Sequence, residues 1–344
     1  MRRILLLVLS LSFVIGTRAQ DMPAVIKLEG VTLVYQDINR CSAAAFTMLL
    51  SYWVEEIVSY DEIITRLNPS ARDVSVRVEE MVQIADEKYG LNGIVRRGGT
   101  IDLLKSLVAN GFPVLVENTY YDGDNPSRDW MSHNRVLIGY DDALQELYFF
   151  DSLLGAGEDE KGRPMSYTEF DERWLAFNRD YLVLYPEERA ATLELILADR
   201  WDEQKNAQWV IDQAAKDVEA ATNTTNKAFA LMNAAYGYKQ LGDTAYAAQL
   251  IDEARATNGL PWRYFWYDFN ALDVFLAEGH TQEVIDLAST TLAATNGVEE
   301  LYYYIGSAAQ LQGDTVRARG NFEAAVQGNI YYLEAIDALA AIGG

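Results

Sequence analysis

From Cys41 the segment CSAAAFTMLLSYWVEEI places Phe46, Leu49, Leu50, Trp53, Val54 and Ile57 at three- and four-residue spacing. That periodicity predicts an amphipathic helix with one buried stripe, with Asp37 and Asn39 just upstream as candidate N-terminal caps. Further on, the run NRVLIGY follows His133, a turn-like Asp141-Asp142 pair comes next, and ELYFFD ends at Asp151. Read as a hairpin centred near Asp142, this pairs His133 with Asp151, Arg135 with Phe149 and Leu137 with Leu147, so imidazole and carboxylate share a face. After Pro186 strand signals give way to Ala-rich helical sequence. Three units recur there, starting at Ala228, Phe265 and Glu299, and aligning them on Gly242, Gly279 and Gly313 gives offsets of 37 and 34 residues. Each unit sets a glycine between two amphipathic helices, and a fourth, degenerate unit leads from Asn206.

The amino terminus has its own pattern. Arg2 and Arg3 precede an apolar run from Ile4 to Ile15, followed by the small-residue context Thr17-Arg18-Ala19. This is the layout of a cleavable export signal over residues 1–19, and the run is shorter than the ~20 apolar residues a spanning helix needs. The expected location is secreted or extracytoplasmic, with no membrane span after removal of the signal. The 344 residues suffice for two domains, placed at 20–187 and 188–344. A formal charge of -23 argues against nucleic acid or anionic lipid as a partner.

Candidate chemistry centres on the one cysteine. Cys41 cannot form an intramolecular disulfide, and it sits in the first turn of the predicted helix, where the positive end of the helix dipole favours thiolate. Gln36, five residues earlier, can donate an amide hydrogen bond to the oxyanion formed when a thiolate attacks a carbonyl. Of the two histidines, His133 faces a carboxylate, and His280 lies in the helical half and reads as a surface residue. Nucleophile, base and orienter are therefore assigned to Cys41, His133 and Asp151. One cysteine and two distant histidines give no zinc spacing, the loop Asp122-Gly-Asp124-Asn125 lacks a full calcium pattern, and there is no phosphate-binding glycine loop. No metal or cofactor is expected.

These residues bring a family to mind. YQDINRCSAAAFTMLLSYW, LLKSLVANGFPVLVEN, SHNRVLIGYDD, FFDSLLG, YTEFDERW and DYLVLYP make residues 32–186 resemble the papain-like bacteriocin-processing peptidases and their stand-alone relatives. The resemblance implies an α+β fold, a helix bearing the nucleophile against an antiparallel sheet, and the roles already named for Gln36, Cys41, His133 and Asp151. The chain departs from that pattern at Ser42-Ala43, where the family usually has Gly-Pro, and at Ser132 and Asn134 beside the histidine. The second half is similar to tetratricopeptide repeats, which implies an all-α solenoid with a concave face for peptide or protein. The combined expectation is an exported cysteine peptidase acting on peptide or protein substrates, with the repeats holding substrate or partner. The competing expectation is an inactive secreted binding or scaffold module. The aromatics Trp262 to Tyr267 and Tyr302 to Tyr304 read as core and receive no site.

Overall fold

The computed structural model describes residues 22–70, 73–121, 130–295 and 297–343. The expected export signal and the Asp122–Asn125 loop lie outside the described residues. Among the described residues no helix is long and apolar enough to cross a membrane.

The amino-terminal half is an antiparallel sheet clothed by helices. Its strands are β1 (Val25–Lys27), β2 (Asn92–Arg96), β3 (Val114–Tyr120), β4 (Met131–Asp141), β5 (Glu146–Asp151), β6 (Arg163–Ser166) and β7 (Tyr181–Tyr185). The order is β2-β7-β3-β4-β5-β6, with β1 on β4. The helices are α1 (Cys41–Ser51), α2 (Tyr60–Leu67), α3 (Val78–Tyr89), α4 (Ile101–Ala109), α5 (Tyr167–Trp174) and α6 (Ala190–Leu197).

Strand alternation splits the apolar residues into two cores. Leu115, Val136, Ile138, Phe150 and Leu184 face α1, α2 and α3. Val114, Val116, Leu137, Phe149 and Val183 face α4, α5 and α6. Buried on both faces, β4 from His133 to Tyr140 is the spine of the sheet. Helix α1 is buried from Ala43 to Leu50, so it is a central helix rather than the one-striped surface helix expected. It also stops earlier. The Ser51 hydroxyl turns back to the Met48 carbonyl and accepts the Thr32 N–H, which ties the helix end to the incoming chain and leaves Ile57 fully exposed.

The hairpin register differs from the expected one. Asp151 lies opposite Arg135, Leu137 opposite Phe149 and Tyr140 opposite Leu147, while His133 is in register with Asn118 of β3. Two features cause the shift. The turn takes four residues, held by the Asp141 carboxylate accepting the Ala143 and Leu144 N–H groups at 2.8 and 3.1 Å. A bulge between Leu137 and Gly139 then adds a residue to β4. Only glycine fits at 139, because a Cβ there would lie 2.5 Å from the Ile26 carbonyl oxygen of β1.

The carboxy-terminal half is helical throughout: α7 (Glu203–Ala220), α8 (Thr224–Gln240), α9 (Thr244–Ala256), α10 (Asn270–Ala277), α11 (Thr281–Ala294), α12 (Glu299–Leu311), α13 (Thr315–Gly328) and α14 (Leu333–Ala341). Gly242, Gly279 and Gly313 occupy the turns of three successive helix pairs with φ of 85°, 73° and 78°, a left-handed conformation that glycine adopts without strain. Asp243 and Asp314 then cap α9 and α13, accepting the Tyr246 and Arg317 N–H groups, and the exposed His280 holds the equivalent place before α11.

The helical half curls back onto the sheet half. Trp130, Leu175 and Ala176 enter the helical core, where Trp130 stacks on Phe177 and Phe229 at 5.7 and 6.1 Å. Arg263 donates to the Trp130 carbonyl at 3.0 Å, and Asn233 donates to that of Leu175 at 2.9 Å. At the far end Arg77, preceding α3, forms a two-point ion pair with Glu334 of α14 at 2.6 and 3.0 Å. Trp130→Ala should cost about 3–5 kcal/mol through lost burial and the cavity left behind. Urea denaturation monitored by circular dichroism checks this, and a loss below about 1 kcal/mol would mean the tryptophan does not hold the halves together.

Candidate active site

Cys41 is the first residue of α1. The residue capping that helix is Arg40, and no side chain caps it, so neither Asp37 nor Asn39 plays the expected part. Asp37 instead closes a turn through its carbonyl, which accepts the Arg40 N–H at 3.2 Å, and Asn39 adopts a left-handed φ of 61°. The bare N-terminus leaves its positive end directed at the thiol.

Cys41 is half-buried, and the His133 ring stands close enough to its thiol to act on its charge. Burial pushes the Cys41 pKa up, but the hydrogen bond and charge of His133, with the Asn134 backbone N–H and side-chain amide, bring it from 9.0 to about 7. On its other side His133 Nε2 lies 2.9 Å from Asp151 Oδ1. Burial lowers the imidazole pKa, yet its bonds to Asp151 and Cys41 outweigh this and raise it above 6.5. The expected trio therefore converges although the register does not. His133 reaches the carboxylate diagonally, two residues along β4 from Arg135, which lies directly opposite Asp151.

Asp151 is wholly buried. Its Oδ1 also accepts the Leu153 and Leu154 N–H groups, both at 2.8 Å, and its Oδ2 accepts Arg135 Nε at 2.6 Å. Burial alone would raise its pKa, but His133, Arg135 and the backbone donors hold it far below the usual carboxylate range. Arg135, buried beside it and bonded onward to Asn118, was not singled out in the sequence. Its signal was the i, i+2 spacing from His133, which puts both on one face of the strand.

Gln36 lies across the cleft from this strand. Its Oε1 accepts the Ser152 hydroxyl at 2.7 Å, and its backbone N–H donates to the Ser152 carbonyl at 3.0 Å. With the carbonyl oxygen committed, the amide NH₂ is the end free to serve the cleft. Ser152 thus orients Gln36, a role unmarked in the sequence except by adjacency to Asp151. The pattern of helix, sheet and converging thiol, imidazole and carboxylate agrees with one family. Residues 26–182 match the model of the Peptidase_C39 like family.

The match spans a little under half of the chain. A solved structure of a candidate C39-like peptidase from Bacillus anthracis is 16% identical, covering 47% of this chain and 98% of the other, with a TM-score of 0.37. No curated protein matches the chain.

Ser42 and Asn134, two departures from the pattern that the first half resembles, touch one another. Asn134 Nδ2 donates to Ser42 Oγ at 3.1 Å and lies 3.8 Å from Cys41 Sγ. The helical half supplies the rest of the cleft, a cavity of about 800 Å³ containing Gln36, Cys41 and His133. Trp262, Trp266 and Tyr267, which carried no assigned site, form its opposite wall. Trp262 and Trp266 meet edge to face at 5.2 Å, and the Arg263 guanidinium lies 4.3 Å above the Trp262 ring. Tyr267 is close enough to Cys41 and Glu117 to feel their charge. Among the described residues no group of three or more His, Cys, Asp or Glu could hold a metal ion.

Asp151→Asn should destabilise the protein by about 3–5 kcal/mol, since it strands the buried Arg135 charge. The double variant Arg135→Met, Asp151→Asn should recover most of that loss in urea denaturation at neutral pH. Equal instability of the single and double variants would mean that the charge pair is not the source.

Proposed function

We propose that this protein is an exported cysteine peptidase in which Cys41 attacks a peptide carbonyl, with His133 as base and acid, Asp151 as its orienter and Gln36 as oxyanion donor. The carrying observation is that Cys41 and His133 share one cleft, with His133 bonded at 2.9 Å to the buried Asp151 carboxylate. A thiol pKa near 7 supplies thiolate at neutral pH, paired with an imidazolium whose own pKa is raised. Attack makes a tetrahedral intermediate whose oxyanion lies between the Gln36 amide and the positive end of α1. His133 then gives its proton to the leaving amine, leaving a thioester on Cys41. The neutral imidazole next takes a proton from water, which attacks the thioester and releases the second product. Asp151, held ionised, keeps Nε2 engaged so that the other ring nitrogen faces sulfur. The helical half, read as tetratricopeptide-type repeats, closes the substrate cleft, which suits a peptide or protein better than a small amide. The amino-terminal segment would carry the enzyme out of the cytoplasm.

The test is the rate of Cys41 alkylation by iodoacetamide against pH. The expected midpoint lies near 7, and His133→Ala should move it upward, because burial remains and the compensating partner is gone. A thiol that reacts only after unfolding would defeat the proposal. In turnover of a denatured protein substrate, Gln36→Ala should lose about 10²–10³-fold in kcat. Ser152→Ala should lose about tenfold in the parent background but nothing further beside Gln36→Ala, the signature of a residue acting through the glutamine.

A further inference from the structure

A second cavity of about 800 Å³ lies between the sheet half and the helical half. Ser75, Val76, Glu117 and Tyr267 line both this cavity and the cleft holding Cys41, so the two spaces meet at those residues. Much of the charge on its wall cancels in pairs. Arg77 meets Glu334 at 2.6 Å, Arg96 meets Glu203 at 3.7 Å, and Lys239 meets Asp273 at 2.7 Å. The remaining charges on the wall are Glu79, Glu117, Asp180 and Asp268 against Arg97, whose guanidinium stacks on Tyr236 at 3.9 Å, and Glu117 also lines the catalytic cleft. The polar contacts of Glu117, Asp180 and Asp268 are with neutral donors. Glu117 accepts the Ser132 hydroxyl, Asp180 the Glu117 N–H at 3.4 Å, and Asp268 the Asn270 N–H at 3.0 Å. Burial raises all three carboxyl pKa values despite Arg97, that of Asp180 to about 7.

Asn270 makes the second, independent observation. It lines the same cavity and is only 5% exposed, yet neither its amide nitrogen nor its amide oxygen has a hydrogen-bond partner. Buried amides are normally satisfied, and leaving both ends bare is costly. A side-chain amide offers a donor and an acceptor side by side, which is the complement of the C=O and N–H of a peptide backbone.

We propose that the polypeptide cut at Cys41 continues past Tyr267 into this cavity, with a backbone peptide group on Asn270 and a lysine or arginine side chain among Glu117, Asp180 and Asp268. This rests on the peptidase reading above and adds to it a substrate class: an extended polypeptide with a basic residue flanking the scissile bond. An incoming cation favours the ionised form of these carboxyls, and the attraction to it is strong because they are shielded from water.

The experiment is fluorescence anisotropy with the full-length Cys41→Ala protein. The probes are fluorescein-labelled octapeptides in which one lysine is moved through every position, each matched by a norleucine peptide. At one or two positions lysine should bind about tenfold tighter than norleucine. Glu117→Gln and Asp180→Asn, each isosteric, should bring that ratio close to one. Asn270→Ala should weaken lysine and norleucine peptides alike, by about tenfold. Thermal melts establish that each variant is folded, and Glu117→Gln suffices if Asp180→Asn is not. Equal binding of lysine and norleucine peptides, a preference that survives both carboxylate variants, or no binding of any peptide would overturn the proposal. Since no bond is cut in this assay, its failure is separable from failure of the peptidase reading. A reactive Cys41 with no basic preference refutes the inference alone, whereas an inert Cys41 refutes the chemistry and leaves the binding result standing.

Discussion

The buried carboxylate of Asp151 has four donors on two oxygens: His133, Arg135 and the N–H groups of Leu153 and Leu154. An ionised group without solvent is tolerated only when its lone pairs are taken up in this way. The constraint reaches outward in both directions. The chain after β5 must turn back so that two backbone donors converge, which also brings Ser152 against Gln36. On the other side β4 must carry histidine and arginine two residues apart. Asp151 thereby links three parts of the site, the imidazole, the Gln36 amide and the sheet spine. Arg135 has a further effect on this group. Its own positive charge opposes the rise that Asp151 gives the imidazole, holding the His133 pKa lower than Asp151 alone would set it.

Much of this was legible in the sequence, for physical reasons that can be named. Cys41 opens a helix because apolar residues at helical spacing begin just after it, and the helix end sets its chemistry whatever caps it. His133 and Asp151 share a hairpin because two apolar runs flank a polar turn. The register was not legible. A bulge at Leu137–Gly139 leaves no mark in the alternation except the glycine itself, and that glycine is required by β1, a strand more than a hundred residues earlier. The all-round burial of α1 was also hidden, since Ala43, Ala44 and Ala45 are equally at home on a stripe or in a core. In the helical half the recurring glycines marked the inter-helix turns. The same segment gave no sign that Trp262, Trp266 and Tyr267 face a thiol some 220 residues away, because aromatic residues in a helical array usually mean packing.

That last point changes how the two halves relate. A repeat array tethered to a peptidase would deliver substrate to a finished site. Here the loop between α9 and α10 is one wall of the cleft, Arg263 is anchored on the Trp130 carbonyl, and α14 is clamped to Arg77 before α3. The cleft is walled by both halves, so the energy of their interface and the shape of the cleft are coupled.

Ser42 and Asn134 carry the argument furthest from the family pattern. Taken singly, each replaces a residue beside the nucleophile or the base and would be read as damage. In space they are partners: the Asn134 amide donates to the Ser42 hydroxyl and approaches the Cys41 sulfur, while the Asn134 backbone N–H also favours the thiolate. A small residue followed by proline fixes the start of a helix by its backbone, whereas serine with an asparagine across the cleft fixes it by a hydrogen bond. The second arrangement places an additional donor near sulfur, which stabilises negative charge there. The two departures therefore act as one compensated change that favours negative charge on the Cys41 sulfur.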